Sequence, residues 1–219
     1  MDYQHQFIEG HTNLPVGKVV CIGRNYVEHA KELNNPVPDE PLLFIKPSTA
    51  ITPLSQSIVL PQDRGGLHYE TELAILIGER LTRASEADAV KAIAGVGLAL
   101  DLTLRDLQSA LKAKGLPWEK AKAFDGSCSL SPFVVPTGLD LTQLELSLWI
   151  NDQLRQQGNT AQMLLPVTAL LAYISEWFTL LPGDVVLTGT PAGVGELHAG
   201  DKLCLQLGQL VKAETRVVK

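Results

Sequence analysis

Cysteine is scarce in this 219-residue chain, and Cys21, Cys128 and Cys204 are odd in number and far apart. That pattern argues against a disulfide framework and fits the reduced thiols of a cytoplasmic protein. Cys21 and Cys204 lie inside apolar runs and are expected to pack as small hydrophobes. Cys128, in Gly126-Ser127-Cys128-Ser129, is expected to be more exposed, and with no histidine beside it makes a poor nucleophile. No apolar stretch reaches the length of a membrane span. Residues Met1 to Gln6 hold neither the basic nor the apolar segment of a secretion signal. There is no block rich in lysine or arginine and the net charge is −6, so neither nucleic acid nor an anionic membrane is expected as a partner. The five histidines, His5, His11, His29, His68 and His198, show no zinc-ligand spacing. Internal repeats and low-complexity tracts are missing as well.

What is present suits a packed core: 45% of residues are hydrophobic and only 19% charged. One domain over residues 1–219 is expected, with residues 1–15 as an N-terminal extension. Short β-type runs dominate, at Lys18–Ile22, Leu42–Ile45, Ile58–Leu60, Leu73–Ile77, Val96–Leu100, Leu144–Ile150, Asp184–Leu187, Lys202–Leu207 and Val211–Val218. Asn151-Asp152 predicts a hairpin turn. Helices are expected at Tyr26–Leu33, at Thr103–Lys114 with Thr103 as N-cap and Gly115 just past the end, and at Pro166–Phe178. Strands and helices do not alternate, so the expected class is α+β, mainly β: a mixed, largely antiparallel core with a few peripheral helices.

The most telling segment is His68-Tyr69-Glu70-Thr71-Glu72-Leu73 and the apolar run that follows. In a strand, Glu70 and Glu72 share a face while Thr71, Leu73, Ile75 and Ile77 take the other. Two close carboxylates repel, and a divalent cation would neutralise them. Asp101, ending the buried run Gly95–Leu100, supplies a third acid. An all-oxygen set of this kind favours Mg²⁺, Mn²⁺ or Ca²⁺ over Zn²⁺. Solvated edge residues and a turn cap would explain the same pattern.

Further candidates surround these acids. His29 and Glu32, three apart on the first helix, can pair so that the carboxylate fixes one imidazole tautomer and leaves the other nitrogen as a base; an incidental surface pair fits equally. Arg24 precedes that helix and can fork onto a carboxylate, or be a solvated loop residue. Arg105 and Gln108 follow Asp101 on the second helix. Composition alone does not choose among Lys114, Lys120 and Lys122. Thr188–Gly195 is glycine-rich without a phosphate-loop lysine: a connecting turn, or a loop offering N–H groups and a hydroxyl to an anion.

As an ordered set, these stretches resemble the fumarylacetoacetate hydrolase family, in particular its small acylpyruvase members. The matching segments are Gly23-Arg24-Asn25-Tyr26, Glu40-Pro41 through Phe44-Ile45-Lys46-Pro47, and His68 to Leu73. Asp101 to Asp106, Pro117-Trp118 through Lys122-Ala123-Phe124-Asp125, and Pro182-Gly183-Asp184 through Gly195 complete the set. The resemblance implies a fumarylacetoacetase-like β-roll and a homodimer. It makes Glu70, Glu72 and Asp101 ligands of Mg²⁺ or Mn²⁺. It makes His29 and Glu32 a water-activating dyad on a lid, and Lys122 the active-site lysine. Arg24, Asn25, Arg105, Gln108 and Thr190 become substrate or supporting contacts. One departure is Tyr69, where close relatives often have a second histidine. The implied activity is hydrolysis of the C–C bond of a 3-acylpyruvate, acetylpyruvate or fumarylpyruvate, to pyruvate and a carboxylic acid. The alternative on the same site is decarboxylation or keto–enol tautomerisation of oxaloacetate. A non-catalytic β module with a structural cation is the third expectation.

Overall fold

Strands outnumber helices in the computed structural model, which describes residues 3–10, 12–32 and 40–219. The strands are β1 (Val19–Gly23), β2 (Leu42–Lys46), β3 (Ile51–Pro53), β4 (Ile58–Val59), β5 (Leu67–Tyr69), β6 (Thr71–Ile77), β7 (Ile93–Asp101), β8 (Thr103–Leu104) and β9 (Cys128–Leu130). They continue with β10 (Glu145–Ile150), β11 (Gln153–Asn159), β12 (Val185–Leu187), β13 (Gly195–Glu196), β14 (Lys202–Leu207) and β15 (Val211–Val218). The helices are α1 (Val27–Glu32), α2 (Glu86–Ala92), α3 (Arg105–Ala113), α4 (Glu119–Lys122) and α5 (Val167–Trp177). No helix among the described residues is long and apolar enough to cross a membrane.

The central sheet is mixed, in the order β2-β1-β12-β6-β7-β9-β3. Its two edge strands are neighbours in the chain, joined only by residues 47–50. A flat seven-stranded sheet is about 29 Å across at ~4.8 Å per strand. Residues 46 to 51 span at most about 18 Å, so the sheet must curl on itself. The curl separates two apolar faces. Val19, Cys21, Ala74, Leu76, Ala99, Cys128, Leu130, Val185 and Leu187 pack on the inner one. Val20, Ile22, Leu73, Ile75, Ile77, Val96, Leu98, Leu100 and Val186 pack on the outer one, together with α5 and residues of a second sheet, β11-β10-β14-β15-β4. A strand buried on both faces needs a nearly continuous apolar run, and β6 is buried at all seven positions.

Local chemistry sets the ends of the elements. Asn151 and Asp152 have φ of 51° and 63°, the left-handed pair of a tight hairpin turn between β10 and β11. α3 stops where Gly115 turns left-handed at φ 64°; the Gly115 N–H reaches Lys112 O at 3.1 Å and the Leu116 N–H reaches Leu111 O at 3.0 Å. These two bonds satisfy carbonyls that the helix end would leave open.

Three expectations need correction. Thr103 does not cap α3: it pairs with His68 in β8, and the helix begins two residues later after Leu104, which makes no side-chain cap bond. Cys128 is buried, not exposed, because its place in β9 turns it into the curl, and burial pushes its thiol up to about 12. Glu70 and Glu72 do not share one unbroken strand, since Glu70 lies in the break between β5 and β6. α1 starts at Val27, and the predicted end at Leu33 lies outside the described residues.

Candidate active site

Strand direction brings the chemistry to one rim. β1 and β12 run parallel, β6 runs against β12, and β7 runs against β6. The C-terminal ends of β1, β12 and β7 therefore meet the N-terminal end of β6. The register completes the convergence. Thr71 pairs with Leu100, Glu72 with Ala99, and the Asp101 N–H donates to Glu70 O at 2.8 Å, so Asp101 stands opposite Glu70. By alternation Glu72, like Ala74 and Leu76, faces into the curl, as do Ala99 and Asp101. All three carboxylates are buried, and one oxygen from each lies within 4.8 Å of the others.

The partners of the three acids differ. Glu70 Oε2 accepts from Lys122 Nζ at 2.7 Å, and Arg105 holds its other oxygen. Asp101 Oδ2 accepts from the same ammonium at 2.7 Å, and its Oδ1 pairs with Lys46 Nζ at 2.8 Å. Among the described residues Glu72 pairs with no cation, and it accepts the Gly189 N–H at 2.6 Å. Burial works against the ionised Glu70 carboxyl, but Lys122 and Arg105 prevail and hold it well below the usual carboxylate range. Glu72 moves the other way: burial, then the charges of Asp101 and Glu70, push it far up. A buried carboxylate against two others is what a divalent ion would relieve, and the all-oxygen donor set fits Mg²⁺ or Mn²⁺. Burial also opposes charge on Lys122, yet Asp101 and Glu70 reverse this and raise its pKa. Lys114 and Lys120, the other lysines of the segment, are exposed.

Lys46 is a site residue that sequence reasoning did not single out. It is fully buried at the end of β2, where alternation puts it on the inner face with Phe44. Besides its ion pair with Asp101, it donates to Lys122 O, and to Ser127 O at 3.0 Å and Ser127 Oγ at 3.2 Å. One ammonium thus ties an acid of the cluster to the backbone of the segment carrying Lys122. A lysine closing an apolar strand was the available signal. Removing one member of a buried pair typically costs about 3–5 kcal/mol. Lys46→Met is expected to lower the melting temperature by roughly 6–20 °C, and an unchanged melting curve would contradict this role.

His29 lies on α1, is buried, and its Nδ1 stands 3.5 Å from Glu32 Oε2. Glu32 is anchored in turn by the Gly193 N–H, at 3.0 and 3.2 Å from its two oxygens. Burial, the largest influence, lowers the His29 pKa below its usual value although Glu70 and Glu32 oppose the shift, so the ring is neutral near pH 7. With Nδ1–H directed at Glu32, Nε2 is left as the basic nitrogen.

The Thr188–Gly195 loop directs these N–H groups at the chain's own carboxylates, Glu72 and Glu32. Both donating glycines need their missing side chain. At Gly189 (φ 92°) a Cβ would sit 2.8 Å from Asn25 Cβ, and at Gly193 (φ 99°) 2.1 Å from Arg155 O. Thr190 Oγ1 donates to Thr71 O and accepts from Gln156 Nε2, each at 2.8 Å. Asn25 does not line the cavity. Its amide clamps two loops, donating to Leu165 O at 3.1 Å and Thr188 O at 2.9 Å and accepting the Leu165 N–H at 2.8 Å. Arg24, His29, Glu70, Glu72, Asp101, Arg105, Gln108, Lys122 and Thr190 line one cavity of about 60 Å³, with Lys112 and Trp118 at its wall. By the room one water needs, it holds roughly four to six. Leu42, Phe44, Trp118 and Lys122 also border an adjoining, mainly apolar groove of about 420 Å³.

A curled β sheet whose rim gathers buried acids, a buried lysine and a histidine–glutamate pair defines an enzyme-type cavity. The sequence pattern of the fumarylacetoacetate (FAA) hydrolase C-terminal domain matches residues 18–218. The chain belongs to the fumarylacetoacetate hydrolase family, whose members are enzymes, and its fold is the family's fold. It is 54% identical over 205 residues to the oxaloacetate tautomerase YcgM of Escherichia coli K12, covering 92% of this chain and 93% of that one. It is 41% identical over 202 residues to the human mitochondrial oxaloacetate tautomerase FAHD1, covering 92% and 91%. A fumarylpyruvate hydrolase from Pseudomonas aeruginosa, solved with Mn²⁺ and pyruvate, superposes with a TM-score of 0.92 at 33% identity, covering 97% of this chain and 94% of that one.

Proposed function

We propose that this chain interconverts the keto and enol forms of oxaloacetate. The observation that carries this reading is that two relatives matched over nine-tenths of both chains, at 54% and 41% identity, are oxaloacetate tautomerases, while the fumarylpyruvate hydrolase is 33% identical. The cavity suits the same reaction, because enolisation needs one base beside a bound 2-oxo acid and His29 lines the cavity together with the three acids. The order of the two activities expected from sequence is therefore reversed.

Glu70, Glu72 and Asp101 are the residues that would hold Mg²⁺ or Mn²⁺. When bound, the ion supplies Lewis-acid stabilisation to the 2-oxo group and its carboxylate. His29, oriented by Glu32, takes the proton from C3, and its return to the 2-oxygen forms the enol; the reverse sequence restores the ketone. Lys122, charged and fixed between Glu70 and Asp101, supports negative charge developing on the substrate oxygen. Arg105 and Gln108, bonded to each other at 2.7 Å, give the substrate carboxylate a preformed polar wall. The buried surroundings keep bulk water away from the carbanion-like centre.

A second reading, acylpyruvate hydrolysis, is favoured by the adjoining groove, whose Leu42, Phe44 and Trp118 wall could take an acyl tail. Rates of enol decay for oxaloacetate, measured by ultraviolet absorbance with Mg²⁺, decide between the two against cleavage of acetylpyruvate and fumarylpyruvate. The expected result is a kcat/KM for tautomerisation at least ~10² above that for cleavage, about 2.7 kcal/mol in barrier. Faster cleavage of either acylpyruvate would reverse the assignment.

A further inference from the structure

Gln156 on β11 sits where the core would take an apolar side chain. It pairs with Leu148 of β10, and both are buried. The β10–β11 register skips Arg155, and such a bulge re-aims the side chain next to it. A buried amide is costly unless its hydrogen bonds are made, and this one makes three. Gln156 Oε1 accepts the Thr71 N–H at 3.0 Å, and Nε2 donates to Thr190 Oγ1 at 2.8 Å and to Pro191 O at 2.9 Å. The two ends of the amide serve different parts of the site. Thr71 stands between Glu70 and Glu72. Because Glu70 O bonds to Asp101 of β7, the backbone groups of Thr71 face the β12 side, where Thr188 already bonds Leu73 O and the strand has ended. Side chains complete the ladder instead: Gln156 takes the Thr71 N–H, and Thr190 Oγ1 donates to Thr71 O. At the other end, Thr190 and Pro191 are the middle of the loop whose Gly189 N–H reaches Glu72 and whose Gly193 N–H reaches Glu32. Gly158 lets that loop close on β11, since a Cβ there would lie 2.7 Å from Pro191 Cβ.

We propose that Gln156 is a positioning residue whose acceptor end sets Glu70 and Glu72 for the ion through Thr71, and whose donor end sets Glu32, and so His29, through the Thr190–Gly193 loop. This rests on the proposed function, and it adds a residue of the second sheet to it. The test is calorimetric Mn²⁺ binding to the metal-free protein, together with kcat and KM for oxaloacetate at saturating Mn²⁺. Gln156→Leu, similar in size but with neither end, is expected to weaken Mn²⁺ binding and to lower kcat by about tenfold each, the lower range for a residue that orients metal ligands. KM should change less than about threefold. Gln156→Glu keeps the acceptor for Thr71 and loses both donor bonds to the loop. It should lower kcat by a similar factor while binding Mn²⁺ at least as tightly as the wild type. Ser175→Ala is the structural control: the Ser175 hydroxyl is buried outside the cavity, accepting the Ala84 N–H and donating to Ala172 O, each at 2.8 Å. It should lower the melting temperature yet leave Mn²⁺ affinity and kcat within about twofold. Wild-type Mn²⁺ affinity in Gln156→Leu, wild-type kcat in Gln156→Glu, or equal losses in Ser175→Ala overturn the proposal. Should the leucine variant not fold, the isosteric glutamate variant still decides. The calorimetry reads no turnover, so the two ideas fail separately. A wild-type protein inert toward oxaloacetate sinks the tautomerase reading and leaves the Mn²⁺ arm standing; an active enzyme whose Gln156 variants match the wild type sinks this one.

Discussion

Glu72→Gln is expected to abolish divalent-ion binding and lower tautomerase turnover by about 10²–10³ or more, while leaving the metal-free fold intact. Glu72 differs from its neighbours in how it is balanced. Glu70 has Lys122 and Arg105, and Asp101 has Lys122 and Lys46, whereas Glu72, among the described residues, accepts only the Gly189 N–H. Its carboxyl is driven upward by burial and by the other two acids, so its charged form is the one disfavoured without an ion. A glutamine has nearly the same shape, keeps an oxygen for Gly189 and removes the like-charge repulsion. The metal-free melting temperature should therefore hold or rise slightly. The ion loses a charged ligand, and Lewis-acid stabilisation worth several kcal/mol goes with it. At a metal concentration of about a hundred times Kd, binding adds about 2.7 kcal/mol to wild-type stability. For a chain of this size that is roughly 5–11 °C in melting temperature, and the variant should show none of it. A metal-induced shift of wild-type size in Glu72→Gln would sink the three-carboxylate site.

The pairing of Glu70 with Glu72 was legible because the two acids stand two apart at the start of an apolar run: Glu72 takes its face from β6, and Glu70, in the break just before it, still converges on the same acids. Asp101 was legible as an acid ending an apolar run. Its position opposite Glu70 depends on the β6–β7 register, which a single sequence does not encode locally. The same limit hid Lys46. Its strand was read, but its inward face matters only once β2 and β3 are joined as the two edges of a curled sheet. α2 escaped because seven residues carry too short an apolar period; its marker was Ser85, whose hydroxyl accepts the Asp88 N–H. Thr103 misled in the opposite way. A threonine before a helical pattern looks like a cap, but pairing with His68 on β5 claims it for a strand. The glycines of Thr188–Gly195 announced a tight loop, and only its packing against Asn25 and Arg155 reveals that it serves the chain's own acids.

His29→Ala is the second large effect, with an expected loss of about 10²–10⁴ in kcat, the usual contribution of a positioned general base. Three features of the pair support that size. The ring is buried beside the acids, its Nδ1 is directed at Glu32, and Glu32 is held by the Gly193 backbone N–H. The pH profile gives a readout that a purely structural role would not move. A base works only when neutral, and burial sets the His29 pKa below the ordinary value of 6.5. Activity should accordingly stay level as pH falls to about 6.5 and drop only below it, through the lowered pKa. That acid limb of kcat/KM should vanish in the alanine variant, whose residual rate comes from the ion and Lys122. Glu32→Gln should lose less, because the imidazole stays in place while its preferred tautomer and the stability of its protonated form are weakened. An alanine variant that keeps both wild-type turnover and the acid limb would assign proton transfer to another group.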